Sequence, residues 1–388
     1  MDKKDNDDEG EKKMLNETSL KNLENSEYRL EIFKKYSALE KPAWKRVDYK
    51  YEEPAEYKDF NNTTLRNDKQ QGLEVKDIKN SLEDLKRLES ENEYGLGEFF
   101  KLQNFAFYNE GKFVKVNRKT DVKEPVYITY TTNKENNFLV DYNVIEVEDF
   151  AKATIILTYT SEDEEAAYRN GVIRVFAGQN SEVNLVKIQT LNTNSSNFES
   201  SKIETLGQGK VTYSSIELGA KINGISHKTY LLEDSAETYI LPGYLADADR
   251  KLDLEYSVVF KGRRTIGEIH GKGAVKDTAT KVFRGNMYFE RGASKSEGRE
   301  GEFAILLDKN VRVHAIPTLF CKEDDVIGEH YASIGKVDEA QLFYLMSRGL
   351  SEGRAKKLIV ESSFRPIFEN INDEAIRNHL LEELESRI

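Results

Sequence analysis

The spacing of apolar residues changes character twice along the chain and divides it into three stretches. Between Met14 and Leu39, Leu20, Leu23, Leu30, Phe33 and Tyr36 recur at mixed three-, four- and seven-residue intervals, which predicts one or two amphipathic helices ahead of the break at Pro42. Ile78, Leu82, Leu85 and Leu88 follow at intervals of four, three and three and share one face of a further helix. The run from Tyr94 to Tyr108 carries Phe99, Phe100, Phe105 and Phe107, aromatic bulk suited to docking these helices onto the β-rich body. Trp44, the only tryptophan, reads as a hydrophobic plug for the arm that contains it.

After Gly111 the helical period gives way to short β-rich bursts at Val126 to Tyr130, Val144 to Val147, Thr154 to Thr160, Val172 to Phe176 and Val183 to Ile188. Of the 24 glycines, 17 lie between Gly171 and Gly335 and read as turns between further strands, among them Val211 to Leu218, Leu254 to Phe260, Lys281 to Phe289 and Val311 to Leu319. Val326, Ile327, Ile334 and Val337 form a last β stretch that Gly328 and Gly335 are expected to interrupt. From Asp338 the helical period returns. Asp338 caps a helix over Glu339 to Arg348 that Gly349 stops; a second spans Glu352 to Ser363 and ends at Pro366; a third runs from Asp373 to Ser386 with Ile376, Leu380 and Leu384 on one face. The predicted organisation is a helical region over 1–110, a β region over 111–337 and a helical module over 338–388.

Without long helical patterns between the strands, βαβ winding is disfavoured, which leaves a sandwich, a barrel or a β-solenoid. No clean internal repeat is visible, and that counts against a regular solenoid. A charged share of 32% and the lack of any apolar run approaching the roughly 18 to 20 residues of a membrane span predict a soluble protein with no membrane contact. The first 13 residues are polar and charged, with no apolar segment of a secretory signal; they are expected to be disordered, and the protein is expected in the cytoplasm. A net charge of −12 excludes nucleic acid as a general partner, and the basic group Lys261, Arg263 and Arg264 reads as a solvated loop.

The single cysteine, Cys321, excludes an internal disulfide and any cluster or zinc site built from several thiolates of this chain. Alone in a β-rich stretch, it reads as a small buried hydrophobe. His227, His270, His314 and His379 lack the spacing of a metal site, and no phosphate-binding glycine loop, GxSxG elbow or CxxC pair occurs. No catalytic constellation is legible, and no enzymatic activity is predicted.

Several segments together resemble one family. They are Pro42-Ala-Trp-Lys-Arg-Val-Asp-Tyr49, Gly271-Lys-Gly273 with Val282-Phe-Arg-Gly285, Asp324-Asp-Val326, His330-Tyr-Ala-Ser-Ile-Gly335, and Gln341-Leu-Phe-Tyr-Leu345 with Ser347-Arg-Gly-Leu350. In this order they resemble the SufB/SufD scaffold subunits of Suf iron–sulfur cluster assembly, and the SufD branch in particular. The resemblance implies a right-handed parallel β-helix over about 111–337, flanked by helical regions at both ends. It implies a non-catalytic scaffold that pairs with a SufB-like paralogue, or with itself, and docks a SufC-like ABC-type ATPase. It assigns His330 to a transient iron–sulfur cluster shared with a partner's cysteine, with none bound stably by this chain alone, and it assigns Gln341, Tyr344, Arg348 and Gly349 to the ATPase contact. The chain departs from the family's patterns in two places. Tyr331 follows His330 where SufB-type chains carry glutamate, and Gly328-Glu329 replace the Cys-Ser frequent in the SufD branch. Alternation along the strand turns Glu329 away from the face of His330. Two alternatives differ in kind: a β-solenoid enzyme acting on an acidic polysaccharide, and a homodimeric iron-transfer protein.

Overall fold

The computed structural model describes residues 15–54 and 56–388; the disorder expected of residues 1–13 falls outside the described residues. Two sheets run the length of the body. The first holds, in spatial order, Thr63–Arg66, Val126–Thr132, Lys152–Ser161, Glu182–Thr190, Lys210–Glu217, Glu237–Ala246, Ile266–Val275, Ser296–Leu306 and Val326–Lys336. The second runs from Leu73–Asp77 through Lys112–Val116, Tyr142–Val147, Tyr168–Ala177, Ser196–Thr205, Ile222–Leu231, Lys251–Phe260 and Thr280–Phe289 to Arg312–Ala315 and Thr318–Cys321. The chain visits the sheets alternately and pairs each strand in parallel with the one a full turn earlier. The result is a β-solenoid of about 8 turns with helices at both termini.

The register explains why no repeat is legible. Along the first sheet Lys152, Glu182, Lys210, Glu237, Ile266, Glu297 and Ile327 are successive partners, so the turns measure 30, 28, 27, 29, 31 and 30 residues. A variable corner shifts the period by up to four residues, which erases self-similarity at a fixed spacing while leaving the ladder intact.

Most of the glycines expected to be turns lie inside strands. Their role is space: a Cβ built on Gly273 would stand 2.0 Å from Cζ of the buried Tyr244, and one on Gly298 would stand 2.7 Å from Cζ of Phe289. Large rings stacked on one turn therefore require bare backbone on the next; the Phe260 and Phe289 rings, 4.2 Å apart and nearly parallel, form one such stack. Gly273→Ala is expected to lower stability by about 1–3 kcal/mol through overpacking. Gly335→Ala, where a Cβ meets nothing within 4 Å, should leave the thermal midpoint within error of wild type.

Helices α1 (Glu17–Leu20), α2 (Ser26–Tyr36), α3 (Leu82–Arg87) and α4 (Glu98–Phe107) cover the second sheet near its start. The helix expected from Ile78 to Leu88 is split. A 3₁₀ turn, Ile78–Asn80, precedes α3, because the Asp77 carboxylate accepts from Lys79 N and the Asp77 carbonyl accepts from Ser81 Oγ. The plug forms as expected: the Trp44 ring stacks on Phe198, 5.6 Å away and 6° from parallel. Helices α5 (Glu339–Ser347), α6 (Glu352–Phe368) and α7 (Glu374–Arg387) close the chain. Pro366 does not end α6, which runs on to Phe368. The missing hydrogen bond costs about 3 kcal/mol, and burying Ile367 and Phe368 on the solenoid returns about 1.5–3 kcal/mol each. At the end of α7, Arg387 donates to both Asp247 oxygens at 2.5 and 2.9 Å and ties the module to the body.

The two ends of the solenoid are treated differently. At the N-terminal end antiparallel strands cap both sheets, Thr63–Arg66 on Val126–Thr132 and Leu73–Asp77 on Lys112–Val116. At the C-terminal end no further strand among the described residues covers Val326–Lys336 or the strands Arg312–Ala315 and Thr318–Cys321. The single strand expected over Val311 to Leu319 is thus two, separated at Ile316-Pro317, where proline offers no N–H to the ladder.

Candidate functional site at the open end of the solenoid

Val326–Lys336 is one unbroken strand of 11 residues, so Gly328 and Gly335 do not interrupt it. A Cβ on Gly328 would press on the Leu319 side chain at 2.9 Å, and close packing accounts for that glycine. His330 lies in register with Glu300, on the alternation that faces the solenoid interior, and it is exposed because no turn covers it. Glu329 faces outward and approaches Arg299 at 3.6 Å. Tyr331, also outward, lies over Gly301 and meets Phe303 edge-on at 5.3 Å. Around the open end Phe320 (49% exposed), Ile327 (51%) and Tyr331 (41%) form an apolar rim. Cys321, in register with Phe289, is exposed rather than buried, since its strand ends the second sheet.

The terminal strand leads directly into α5. The Asp338 carboxylate accepts from Gln341 N at 2.8 Å, and Gly349 takes φ +95° just past the helix, the left-handed conformation that glycine adopts without cost. No residue of α5 is buried. Phe343 is 73% exposed and Tyr344 55%, with the Arg348 guanidinium 5.2 Å from the Tyr344 ring. Gln341, Tyr344, Arg348 and Gly349 are therefore gathered on one small, solvent-facing helix and its C-terminal turn.

Inside the solenoid the sequence concealed a buried polar core. Arg169 donates to Asp141 at 2.8 and 3.1 Å, to Asn197 at 2.7 Å and to Glu199 at 2.9 Å, and its guanidinium lies 3.5 Å from the Tyr159 ring centre. Lys187 bridges Glu199 at 3.2 Å and also pairs with Glu217. All five charged side chains are buried. Burial works against the charge on Arg169, but Asp141, Tyr159 and Glu199 outweigh it and raise its pKa; burial likewise opposes the charge on Glu199, and Lys187 and Arg169 outweigh that to hold its pKa low. His227 sits between Ser201 Oγ and Thr229 Oγ1, each at 2.9 Å, and burial pushes its pKa down to about 3, so it is neutral and structural.

A second polar group lies next to the open end. Tyr244 donates to Glu302 at 2.5 Å and Lys281 pairs with the same carboxylate. Glu300, two residues earlier on the same face, makes no such contact. Its Oε2 has no hydrogen-bond partner, and burial, aided by the Glu302 charge, pushes its pKa up to about 8. The spacing Glu300-Gly-Glu302 was the available signal, because residues i and i+2 of a strand share a face. His270 is held by Glu268 at 2.8 Å, and His379 is exposed on α7. Among the described residues no three His, Cys, Asp or Glu side chains stand together as metal ligands, and no helix is long and apolar enough to cross a membrane.

Comparison with known proteins identifies the family and relatives of this chain. A family model described as "SUF system FeS cluster assembly, SufBD core domain" matches residues 130–363. The chain is similar to the iron–sulfur cluster assembly protein SufD of Bacillus subtilis, 26% identical over 289 residues, covering 73% of this chain and 65% of that protein. An iron–sulfur cluster assembly SufBD family protein of Staphylococcus saprophyticus is 25% identical over 268 residues, 69% of this chain and 58% of the relative. The chain thus spans somewhat under two thirds of the length of the curated relatives it matches.

Proposed function

Because this chain belongs to the SufBD family of the SUF iron–sulfur cluster assembly system, we propose that it is a non-catalytic, SufD-like scaffold subunit that pairs through the open end of its solenoid with a SufB-like paralogue. The uncovered edge of Val326–Lys336, rimmed by Phe320, Ile327 and Tyr331 and carrying an exposed His330, is the observation that carries this reading. An uncapped sheet edge leaves N–H and C=O groups unpaired, and a second solenoid end would satisfy them while burying the rim. The imidazole would then enter the seam, where it contributes one nitrogen to a nascent cluster whose remaining ligands come from the partner. The cluster is cargo, assembled and passed on.

In the same reading α5 docks a SufC-like ATPase. A helix with no buried residue that still carries Leu342, Phe343, Leu345 and Met346 calls for an apolar counterpart. Closure of two ATPases would pull on α5 and, through the strand that feeds it, on the seam holding His330.

Anaerobic co-purification with SufB-like and SufC-like subunits tests the reading. Ile327→Lys with Tyr331→Lys is expected to abolish recovery of the paralogue, and Phe343→Glu with Met346→Glu to abolish recovery of the ATPase alone. His330→Ala should preserve both partners and lose most of the bound iron and sulfide. Full recovery of the paralogue with the charged rim would discard the pairing face, and a self-paired chain in place of the heteromer would favour the homodimeric alternative.

A further inference from the structure

The outer face of the second sheet carries a groove that pairing and ATPase docking leave unused. Segment 88–93 crosses that face along the solenoid axis and is held at successive turns. Arg174 donates to the Leu88 carbonyl, Ser90 and Asn92 donate to Glu204 Oε1 at 2.7 and 2.6 Å, Lys261 donates to Asn92 Oδ1 at 2.8 Å, and Tyr230 donates to the Glu93 carbonyl at 2.6 Å. Beside it the corner residues Gly178, Leu206 and Leu232 stack rung on rung, their N–H groups donating to the preceding turn at Val147, Ala177 and Thr205. The row is hollow at Gly178, where a Cβ would stand only 2.7 Å from Asp149 N. Between the segment and the row lies a groove of about 720 Å³, within the roughly 300–1,000 Å³ of small-molecule sites. Leu88, Phe176, Leu206 and Leu232 line it and are half-buried, and Leu206 and Leu232 pack into none of the apolar cores. Two strands, Lys251–Phe260 and Thr280–Phe289, separate it from the open end of the sheet.

Charge decides what such a groove takes. Each carboxylate lining it already has a cation: Glu146 has Arg87 at 2.6 Å, Glu148 has Lys115 at 2.8 Å, Asp149 has Arg118 at 3.8 Å and Glu204 has Lys202 at 3.2 Å. An ionic ligand would give up its hydration there and gain no counter-charge, so a neutral molecule is favoured. One acceptor remains. Glu204 is 4% exposed, and its Oε2, although close to the Lys202 ammonium, accepts no hydrogen bond. Burial opposes the charge on this carboxyl, but Asn92, Ser90 and Lys202 outweigh it and hold its pKa low. An ionised oxygen binds a donor more strongly than a neutral one does. We infer that the groove binds a neutral, largely apolar small molecule whose body lies on Phe176, Leu206 and Leu232 and whose single N–H or O–H is directed at Glu204.

The probe is N-phenyl-1-naphthylamine, which is neutral, apolar and carries one N–H, titrated into the full chain and followed by its fluorescence. Wild type is expected to take up one equivalent and saturate. 1-Phenylnaphthalene, which lacks the N–H, should compete about tenfold more weakly, the worth of one hydrogen bond to a charged acceptor. Leu206→Trp and Leu232→Trp each fill the groove and should weaken probe binding by about tenfold or more, with the wild-type circular dichroism spectrum retained. Ile327→Lys with Tyr331→Lys, which removes the apolar rim of the open end, should bind the probe as wild type does. No saturable uptake by wild type, equal affinity for the two compounds, wild-type affinity in both tryptophan variants, or loss of binding in the charged-rim variant each overturns the inference. Probe binding and recovery of the protein partners are separate readouts, so this inference and the scaffold reading can fail independently.

Discussion

Arg169→Met is expected to destabilise the solenoid by about 3–5 kcal/mol. Among the described residues the arginine is the only cation in contact with Asp141, and it shares Glu199 with Lys187. Removing it leaves a carboxylate buried without a counter-charge, strips Asn197 of a donor and vacates the face of Tyr159. The asymmetry of buried ion pairs supplies a second arm. Breaking one partner is costly, whereas replacing the whole group by neutral residues of similar shape need not be. Asp141→Asn with Arg169→Met and Glu199→Gln should therefore recover a substantial part of the loss. Urea denaturation at constant pH measures both, and a triple variant no better than the single one would show that shape, rather than uncompensated charge, sets the cost.

Glu300→Gln is expected to act in the opposite direction, with a signature in pH. The Glu300 pKa is raised from 4.5 to about 8, so the folded state keeps a proton that the unfolded chain releases. Wild type therefore loses stability as pH rises through that window and levels off above it, while glutamine, which does not ionise, escapes the loss. The variant should match wild type near pH 4.5 and exceed it by on the order of 4 kcal/mol at pH 8, since each tenfold change in proton affinity is worth about 1.4 kcal/mol. Thermal midpoints taken across pH 4.5 to 9 in the presence of a chelator give the curve. A gap that does not vary with pH would mean that Glu300 is ionised in the folded protein throughout.

Several features are legible without coordinates because they depend on local spacing. The helical ends, the β-rich middle, the Asp338 cap and the Gly349 stop follow from periodicity and backbone preference, whereas His330 is singled out only by the family resemblance. The strand Ser196–Thr205 gives no such signal although all but its first residue are buried. Its inward positions Asn197, Glu199 and Ser201 are polar, so the alternation that marks a half-buried strand is missing. The partners that make such burial tolerable are Arg169, from the preceding turn and 28 residues from Asn197, and Lys187, from the facing sheet and 12 residues from Glu199. Glycines read as turns for the same reason, since the rings that occupy their Cβ space come from other strands, at separations from nine residues for Phe289 at Gly298 to 29 for Tyr244 at Gly273.

From its own order of residues the chain determined where it would coil and where it would extend, because those choices are made among near neighbours. Which side chains would face inward, which carboxyl would go without a partner and which end would stay uncapped were decided only when turns of unequal length came into register. Contacts between residues some thirty positions apart have no fixed spacing to announce them.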